Sequence, residues 1–440
     1  MIFKTNDIRG IYPEELTAET VYRIGFYLHR LLNASNVLIG RDTRKSSPAL
    51  YRILSRGILD SGADVVDIGI CDTPAVYFSS LHYGFDAAVM ITASHNPPDY
   101  NGLKISGRQA VPIGRESGLR DLEKLISEEP EKCGTPGTEK ILDIEEDYVR
   151  YLQSFDTGIH GLHCVFDCGN GASGAYVNSI FRSADIRFDV LYPEPAEGFP
   201  HHGPDPLDEK NRAALRRTVL ARGADLGVCF DGDGDRAVFL DENGDFISPD
   251  IITALIARYY ANLKEPEELR AFFDIRSSLS VKEYVESLGG IAEPCPTGHA
   301  RIKKLMKEKN FLWAGELAGH YYYRDNGFCD SAFITVMVVL SVLSKGKKSL
   351  SACRKEINPY FFSGEINFSV PDIDGKIMEL EDIFRDGQKN NTDGMRVDYP
   401  DWWFIVRESN AEPVLRLVVE AKEESIMREK VTYLTELISR

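Results

Sequence analysis

Between residues 35 and 190, short apolar runs of strand length alternate with longer runs of helical spacing. Val37-Leu38-Ile39-Gly40, Val65-Val66-Asp67-Ile68, Ala87 to Ile91 and Cys164-Val165-Phe166-Asp167 read as strands, and Ala49 to Ser61 as one of the helices between them. Such alternation indicates parallel α/β layers. At 440 residues the chain is too long for a single core; with domains of about 100 to 200 residues it divides into three or four.

The breaks in the pattern place those divisions. Glu128 to Glu139 carries Pro130, Gly134, Pro136 and Gly137 among charges and reads as a surface connection, so a first α/β domain spans 1–145, ending beyond a strand-like Lys140-Ile141-Leu142. A second α/β domain, 146–248, contains a long proline- and glycine-rich loop from Tyr192 to Pro206 and ends where Pro249 opens a helix over Asp250 to Leu263. A third covers 249–360, with the short apolar run Thr335 to Leu343 as a buried helix. In 361–440, Glu365 to Val370, Trp402 to Val406 and Val414 to Val419 alternate in strand fashion around a few helices, which predicts a smaller α+β domain.

A net charge of −17 argues against a broad nucleic-acid or membrane-binding face, since neutralising phosphates needs a basic excess. An anionic ligand would have to meet locally concentrated arginines and lysines. The opening MIFKTNDIRG lacks the apolar core of a signal peptide, and no stretch approaches the ~20 apolar residues of a membrane span. Eight scattered cysteines, without Cys-x-x-Cys spacing, read as reduced core thiols of a cytoplasmic protein.

Four segments carry chemistry. Thr92-Ala93-Ser94-His95-Asn96-Pro97 follows the apolar Ala87 to Ile91, and Pro97-Pro98 can continue neither helix nor ladder, so Ser94 is expected to sit exposed at a strand end as a phosphorylatable nucleophile with His95 beside it. An ordinary turn would have the same composition. Asp231-Gly232-Asp233-Gly234-Asp235-Arg236 lies between strand-like Leu226 to Phe230 and Ala237 to Leu240; its alternating carboxylates, separated by glycines, can converge on one hard cation, with Mg²⁺ the natural choice because it keeps room for a phosphate oxygen. An EF-hand would need glycine where Arg236 stands and helices in place of the strands. A haloacid-dehalogenase-type phosphatase would use Asp231 and Asp233, but the threonine or valine expected next but one is absent. A plain acidic hairpin would crowd like charges without a counter-ion.

The third segment, Arg407-Glu408-Ser409-Asn410-Ala411-Glu412-Pro413, joins two strand-like runs and offers a guanidinium fork, a hydroxyl and an amide to a phosphate, although a polar hairpin would look the same. In the fourth, Gly315-Glu316-Leu317-Ala318-Gly319-His320 follows apolar Phe311 to Ala314, so Glu316 and His320 project from a loop after a strand. A carboxylate there suits two adjacent sugar hydroxyls, while a capped turn with a surface histidine is the plainer alternative.

In this order, and together with Asp7-Ile8-Arg9-Gly10, Gly40-Arg41-Asp42-Thr43-Arg44, Asn101-Gly102-Leu103-Lys104 and Thr297-Gly298-His299, these segments resemble the α-D-phosphohexomutase superfamily, in its phosphomannomutase/phosphoglucomutase branch. The resemblance covers nearly the whole chain. It implies three α/β domains of shared topology and a mobile fourth around a central cleft. It implies Ser94 as phosphoserine, with its phosphate and Asp231, Asp233 and Asp235 on Mg²⁺; Arg9, Lys104 and Arg236 stabilising the transferring phosphoryl group; Arg276 and His299 as substrate contacts; Glu316 and His320 on the sugar; and Arg407, Ser409 and Asn410 as a phosphate clamp. The implied reaction interconverts hexose 1- and 6-phosphates of mannose or glucose through a hexose 1,6-bisphosphate, with small hexose phosphates, and neither nucleic acid nor membrane, as partners.

Three departures each remove a hydroxyl: Asn6 stands where the branch has tyrosine, Ala318 where it has serine, and Ala411 where it has threonine. None touches the transfer machinery, so catalysis is expected to survive with sugar preference open. A catalytically idle sugar-phosphate binding protein is the competing reading.

Overall fold

The computed structural model describes residues 2–131, 134–408 and 414–440. Four sheets follow one another along the chain. In the first, Asn36–Arg41 lies between Asp64–Ile70 and Ala87–Ile91, parallel to both, and Glu139–Ile141 adds a further parallel strand. The alternating pattern accounts for these strands, but Tyr100–Gly107 returns antiparallel to Ala87–Ile91, and Ile8–Ile11 is antiparallel to Tyr100–Gly107. The sheet is therefore mixed: the link through residues 92–99 is too short for a parallel crossover, which needs about a dozen residues or more.

The second and third sheets repeat the theme. Leu226–Phe230 runs parallel to His160–Asp167 and pairs antiparallel with Ala237–Asp241; Arg270–Asp274 runs parallel to Ile291–Cys295 and Trp313–Gly315, and Tyr321–Tyr323 folds back on the last of these. The fourth sheet is antiparallel, ordered Phe361–Phe362, Leu415–Ala421, Trp402–Glu408, Met395–Asp398, Gln388–Asn390, with Ile366–Phe368 also on Leu415–Ala421.

Local chemistry fixes the helices. Thr17 caps Ala18–Leu32 by accepting from the Thr20 N–H at 3.2 Å, and Asp72 caps Thr73–Tyr83 by accepting from the Ala75 N–H at 2.8 Å, with Pro74 inside the start. Helices Ala18–Leu32 and Ser47–Asp60 touch through Gly25 and Gly57, where an added Cβ would come within 2.3 Å of Leu54 O and 2.1 Å of Tyr22 O. The apolar run at 335–343 lies in the helix Ala332–Gly346, whose residues 332 to 344 are all buried in a core running through the first three sheets. The fourth sheet has its own core around Phe404, Leu417 and Leu434. The described cysteines are all buried and unpaired, and among the described residues no helix is long and apolar enough to cross a membrane.

One consequence matters for function. The loops beginning at Asp42, Thr92, Asp231, Ile275 and Glu316 all leave the carboxyl ends of parallel strands, where open α/β sheets gather ligands.

Candidate active site

The serine loop is built around a buried arginine. The Arg44 guanidinium donates to Ser94 O and Asn96 O at 2.7 Å each, to Pro97 O at 2.7 Å and to Tyr100 O at 2.9 Å, and is paired with Asp42 at 3.1 Å. Five polar contacts from one planar fork fix the path of a loop that has no ladder of its own. Ser94 takes a left-handed conformation, φ 51°, and its N–H donates to Thr92 Oγ1 at 2.8 Å. Its hydroxyl donates to Asp231 Oδ2 at 3.0 Å and lies 3.3 Å from His95 Nδ1. Arg236, then burial and Arg9, push the His95 pKa down to about 2, so its ring is neutral.

Ser94 is not exposed as its strand-end position suggested; only 1% of its surface is accessible. The covering comes from the second domain. Gly232 approaches so closely that an added Cβ would lie 2.9 Å from Ser94 O and 3.1 Å from the Phe199 ring, and Phe199 itself stacks on Arg44 at 5.2 Å. The irregular 192–206 loop thus closes the outer side of the serine loop.

The hairpin expected at 226–240 forms, with Phe230 opposite Ala237, and its turn presents Asp231, Asp233 and Asp235, all buried. Lys104 Nζ lies 2.6 Å from Asp233 Oδ2 and 2.5 Å from Asp235 Oδ2. Burial opposes its charge, yet the two aspartates raise its pKa. Thr73 Oγ1 donates to Asp233 Oδ2 at 2.6 Å. Asp233 Oδ1 is buried without a hydrogen-bond partner among the described residues, and burial, then Asp235 and Asp233, push Asp231 well above the usual carboxylate range. One oxygen from each aspartate falls within 4.8 Å of the others. Three converging carboxylates, with Asp233 Oδ1 still unspent, are hard oxygen donors that fit a divalent cation such as Mg²⁺.

Cations surround this turn. Arg236 lies 3.8 Å from Asp231 and 4.0 Å from Asp235; Arg9 pairs with Asp7 and donates to Asn96 Oδ1 at 2.5 Å, while its Nε is buried and without a hydrogen-bond partner among the described residues. His320 sits 3.2 Å from both Asp235 Oδ1 and Glu316 Oε2. Burial and Arg236 push its pKa down, but the two carboxylates prevail and raise it to about 9. Arg236 Nε also approaches His320 Nε2 at 3.1 Å, a contact that is a hydrogen bond only for a neutral ring; the flanking carboxylates favour the imidazolium.

Glu316 is itself gripped by Gly298 N–H at 2.9 Å and by the Tyr322 hydroxyl at 2.5 Å, which with His320 hold its pKa below the carboxylate range despite burial. Gly298 precedes His299, whose pKa is pushed down to about 3 by burial, then by Lys303 and Lys104. Asn6 faces this turn, its Nδ2 lying 3.5 Å from where a Gly298 Cβ would be.

A second group lies between the third and fourth domains. Arg276 is chelated by Asp274, its Nε at 2.9 and 3.0 Å from the two oxygens, and Asp274 Oδ2 also accepts from Leu317 N–H at 3.3 Å, joining this arginine to the Glu316 loop. Arg407 is buried, and its pKa is lowered by burial and then by Arg276. It faces Arg416 across the strand pair, and each has a buried Nε without a hydrogen-bond partner among the described residues. Like charges directly opposite destabilise a sheet, and Glu365, 2.9 Å from Arg416 Nη1, offsets part of this repulsion. Ser409 and Asn410, with Ala411, lie outside the described residues.

A chain of contacts therefore joins Arg9, Ser94, His95, Lys104, the three aspartates, Arg236, His299, Glu316 and His320, and the Asp274–Leu317 hydrogen bond links Arg276 to it. Sequence reasoning assigned no role to Arg44, Thr73, Asp274, Tyr322 or Arg416. Arg44 lay within a motif already singled out, and Asp42-x-Arg44 just after a buried strand was the signal.

Every quarter of the chain has a counterpart among known domains: residues 1–132 match phosphoglucomutase/phosphomannomutase alpha/beta/alpha domain I, 146–244 domain II, 248–360 domain III and 365–435 the C-terminal domain. The phosphohexose mutases of Xanthomonas campestris pv. campestris (strain B100) are 35% identical over 98% of this chain and 97% of their own. The phosphomannomutase of Salmonella typhimurium is 34% identical over 96% of this chain and 94% of its own. The crystal structure of a phosphoglucomutase/phosphomannomutase family protein from Burkholderia thailandensis superposes with a TM-score of 0.89 at 28% identity, covering 99% of this chain and 96% of that one. Fold and relatives define the class, an isomerase that acts on hexose phosphates as a mutase. The chain belongs to the phosphoglucomutase/phosphomannomutase family.

Proposed function

We propose that the enzyme interconverts hexose 1-phosphate and hexose 6-phosphate, of mannose or glucose, through phosphoserine at Ser94 and a hexose 1,6-bisphosphate. The observation that carries this reading is the 3.0 Å approach of Ser94 Oγ to Asp231, which joins a strand-end nucleophile of the first domain to the triple-aspartate turn of the second. Asp231, Asp233 and Asp235, with an oxygen of the phosphoserine, would hold Mg²⁺, which when bound supplies charge neutralisation for the phosphoryl group.

In the first half-reaction the P–Oγ bond of phosphoserine breaks and a bond forms from phosphorus to the free hydroxyl of the bound hexose phosphate. The proton of that hydroxyl ends on Ser94 Oγ, beside which His95 Nδ1 lies at 3.3 Å. Lys104, Arg9 and Arg236 face the charge that spreads over the equatorial oxygens. The bisphosphate then turns end for end, its other phosphorus bonds to Ser94 Oγ as its bond to the sugar oxygen breaks, and the hydroxyl proton returns. Glu316 accepts sugar hydroxyls and stays ionised to do so. Arg407, Arg416 and Arg276 hold the phosphate that is not reacting, and the same clamp serves either orientation.

Asn6 and Ala318 lie beside this sugar-reading turn, so the missing hydroxyls bear on which hexose is preferred, each costing about 0.5–1.5 kcal/mol. Parallel assays of mannose 1-phosphate and glucose 1-phosphate, primed with catalytic hexose 1,6-bisphosphate, test the reading. Turnover of at least one sugar that is lost in Ser94→Ala is expected. No turnover of either by wild-type protein would leave an idle binding protein as the better description.

A further inference from the structure

The loop bearing Arg276 belongs to the third domain by sequence but is gripped by the fourth. Its flanking carbonyls, Ile275 O and Ser277 O, both accept from Arg396 Nη1, at 2.6 and 3.2 Å. Arg396 is 4% exposed, lies 3.7 Å over the Trp403 ring and is paired with Asp398 at 2.9 Å, so its fork is fixed in place. Next along the loop, the fully buried Glu420 accepts from the Ser278 hydroxyl, from Leu279 N–H at 3.2 Å and, on its own sheet, from Trp403 Nε1 at 2.5 Å. Ile275 packs into a small apolar cluster with Trp403, Ile405 and Val418. On the other side, the third domain holds the same loop through Asp250, which accepts from Ser278 N–H at 2.9 Å, and through the Asp274 chelation of Arg276.

The cost of this arrangement indicates its purpose. Arg276 and Arg407 repel each other, and burying an arginine and a glutamate at an interface between two sheets is expensive unless their partners are well placed. Arg396 satisfies backbone carbonyls on both sides of Arg276, and that holds one short stretch of chain more than it glues two domains.

We propose that Arg396 and Glu420 are positioning residues that fasten Arg276 to the sheet carrying Arg407, so that the two guanidiniums form one phosphate-holding unit of fixed spacing. The proposal rests on the hexose-phosphate reading above. Arg396 touches no substrate; it acts through Arg276, and the benefit is a lower ordering cost when the non-reacting phosphate binds. It follows that its loss raises KM more than it lowers kcat.

The test is a double-mutant cycle on the full chain, read as the dissociation constant for glucose 1-phosphate by titration calorimetry and as KM and kcat in the mutase assay. Arg396→Met is expected to weaken binding about tenfold, consistent with losing charge-assisted bonds to two carbonyls. In an Arg276→Ala background the same change is expected to do nothing further, and Arg396→Lys recovers part of the loss. Glu420→Gln, which keeps shape and volume, serves as an independent second variant with the same non-additivity. Binding by Arg396→Met as tight as by wild type, or losses that simply multiply with Arg276→Ala, would overturn the proposal while mutase activity stands. Wild-type protein that binds glucose 1-phosphate with the predicted coupling but isomerises nothing would remove the catalytic reading and keep this one. No binding by wild type overturns both.

Discussion

Replacing Lys104 by methionine should make the stability of this protein depend on divalent metal. The ammonium sits 2.6 and 2.5 Å from two fully buried aspartates and is itself 11% exposed, so the group removed is the nearest counter-charge to a cluster of three carboxylates. Methionine fills the volume of the alkyl stem and supplies no charge. Taking one partner from a buried pair costs about 3–5 kcal/mol, a large share of the roughly 5–15 kcal/mol that holds a domain together. In EDTA the Lys104→Met protein is therefore expected to unfold at a markedly lower urea concentration than wild type. Mg²⁺ at a hundred times its dissociation constant restores about 2.7 kcal/mol, because Asp233 Oδ1, buried and without a hydrogen-bond partner among the described residues, is free to receive it. Wild type, whose lysine already offsets part of the charge, gains less. The penalty in EDTA should also shrink as pH falls, since the aspartates can then take up protons in place of a cation. The assay is a pair of urea titrations for each protein, with and without metal. Equal midpoints for the two proteins in EDTA, or an equal gain from Mg²⁺, would refute the view that Lys104 and a metal ion answer the same buried charge.

Arg44→Lys should cost about 3 kcal/mol in urea unfolding and lower kcat more than it raises KM, because an ammonium cannot reach the four carbonyls that the guanidinium fork holds. Glu420 has its pKa raised from 4.5 to about 7, by burial foremost, so between those values the folded state holds a proton that the unfolded chain has released. Its contribution is thus fully present below pH 4.5 and lost as pH rises through 7, up to about 3 kcal/mol, and the stability difference between wild type and Glu420→Gln should follow that course in melts across the range. Tyr322→Phe removes the 2.5 Å bond to Glu316 and should raise KM for the sugar phosphate about two- to tenfold with little change in kcat, as steady-state kinetics would show.

Much of this site could be read along the chain because its motifs are local. The triple-aspartate turn is bounded by the two runs that pair as its hairpin, and the Glu316 turn follows directly on the strand Trp313–Gly315. What could not be read was whatever lies across the fold. Ser94 is covered by Gly232 and Phe199, more than a hundred residues downstream, so a strand-end serine that looked exposed is enclosed. Arg44 was marked by Asp42-x-Arg44 after a buried strand, but the backbone carbonyls it binds leave no mark on a sequence. Arg407 and Arg416 become neighbours only through the register of their hairpin, and Arg396 reaches the Arg276 loop from another domain. The mixed first sheet follows from the brevity of the 92–99 link, a constraint that the periodicity of apolar residues does not express.

Label transfer from hexose 1,6-bisphosphate bearing radioactive phosphate, followed by phosphopeptide mapping, tests the central claim most directly. The account predicts label on Ser94, chased off by unlabelled hexose 1-phosphate and absent in Ser94→Ala. Label on Asp231, or none on wild-type protein that still turns over substrate, would contradict it.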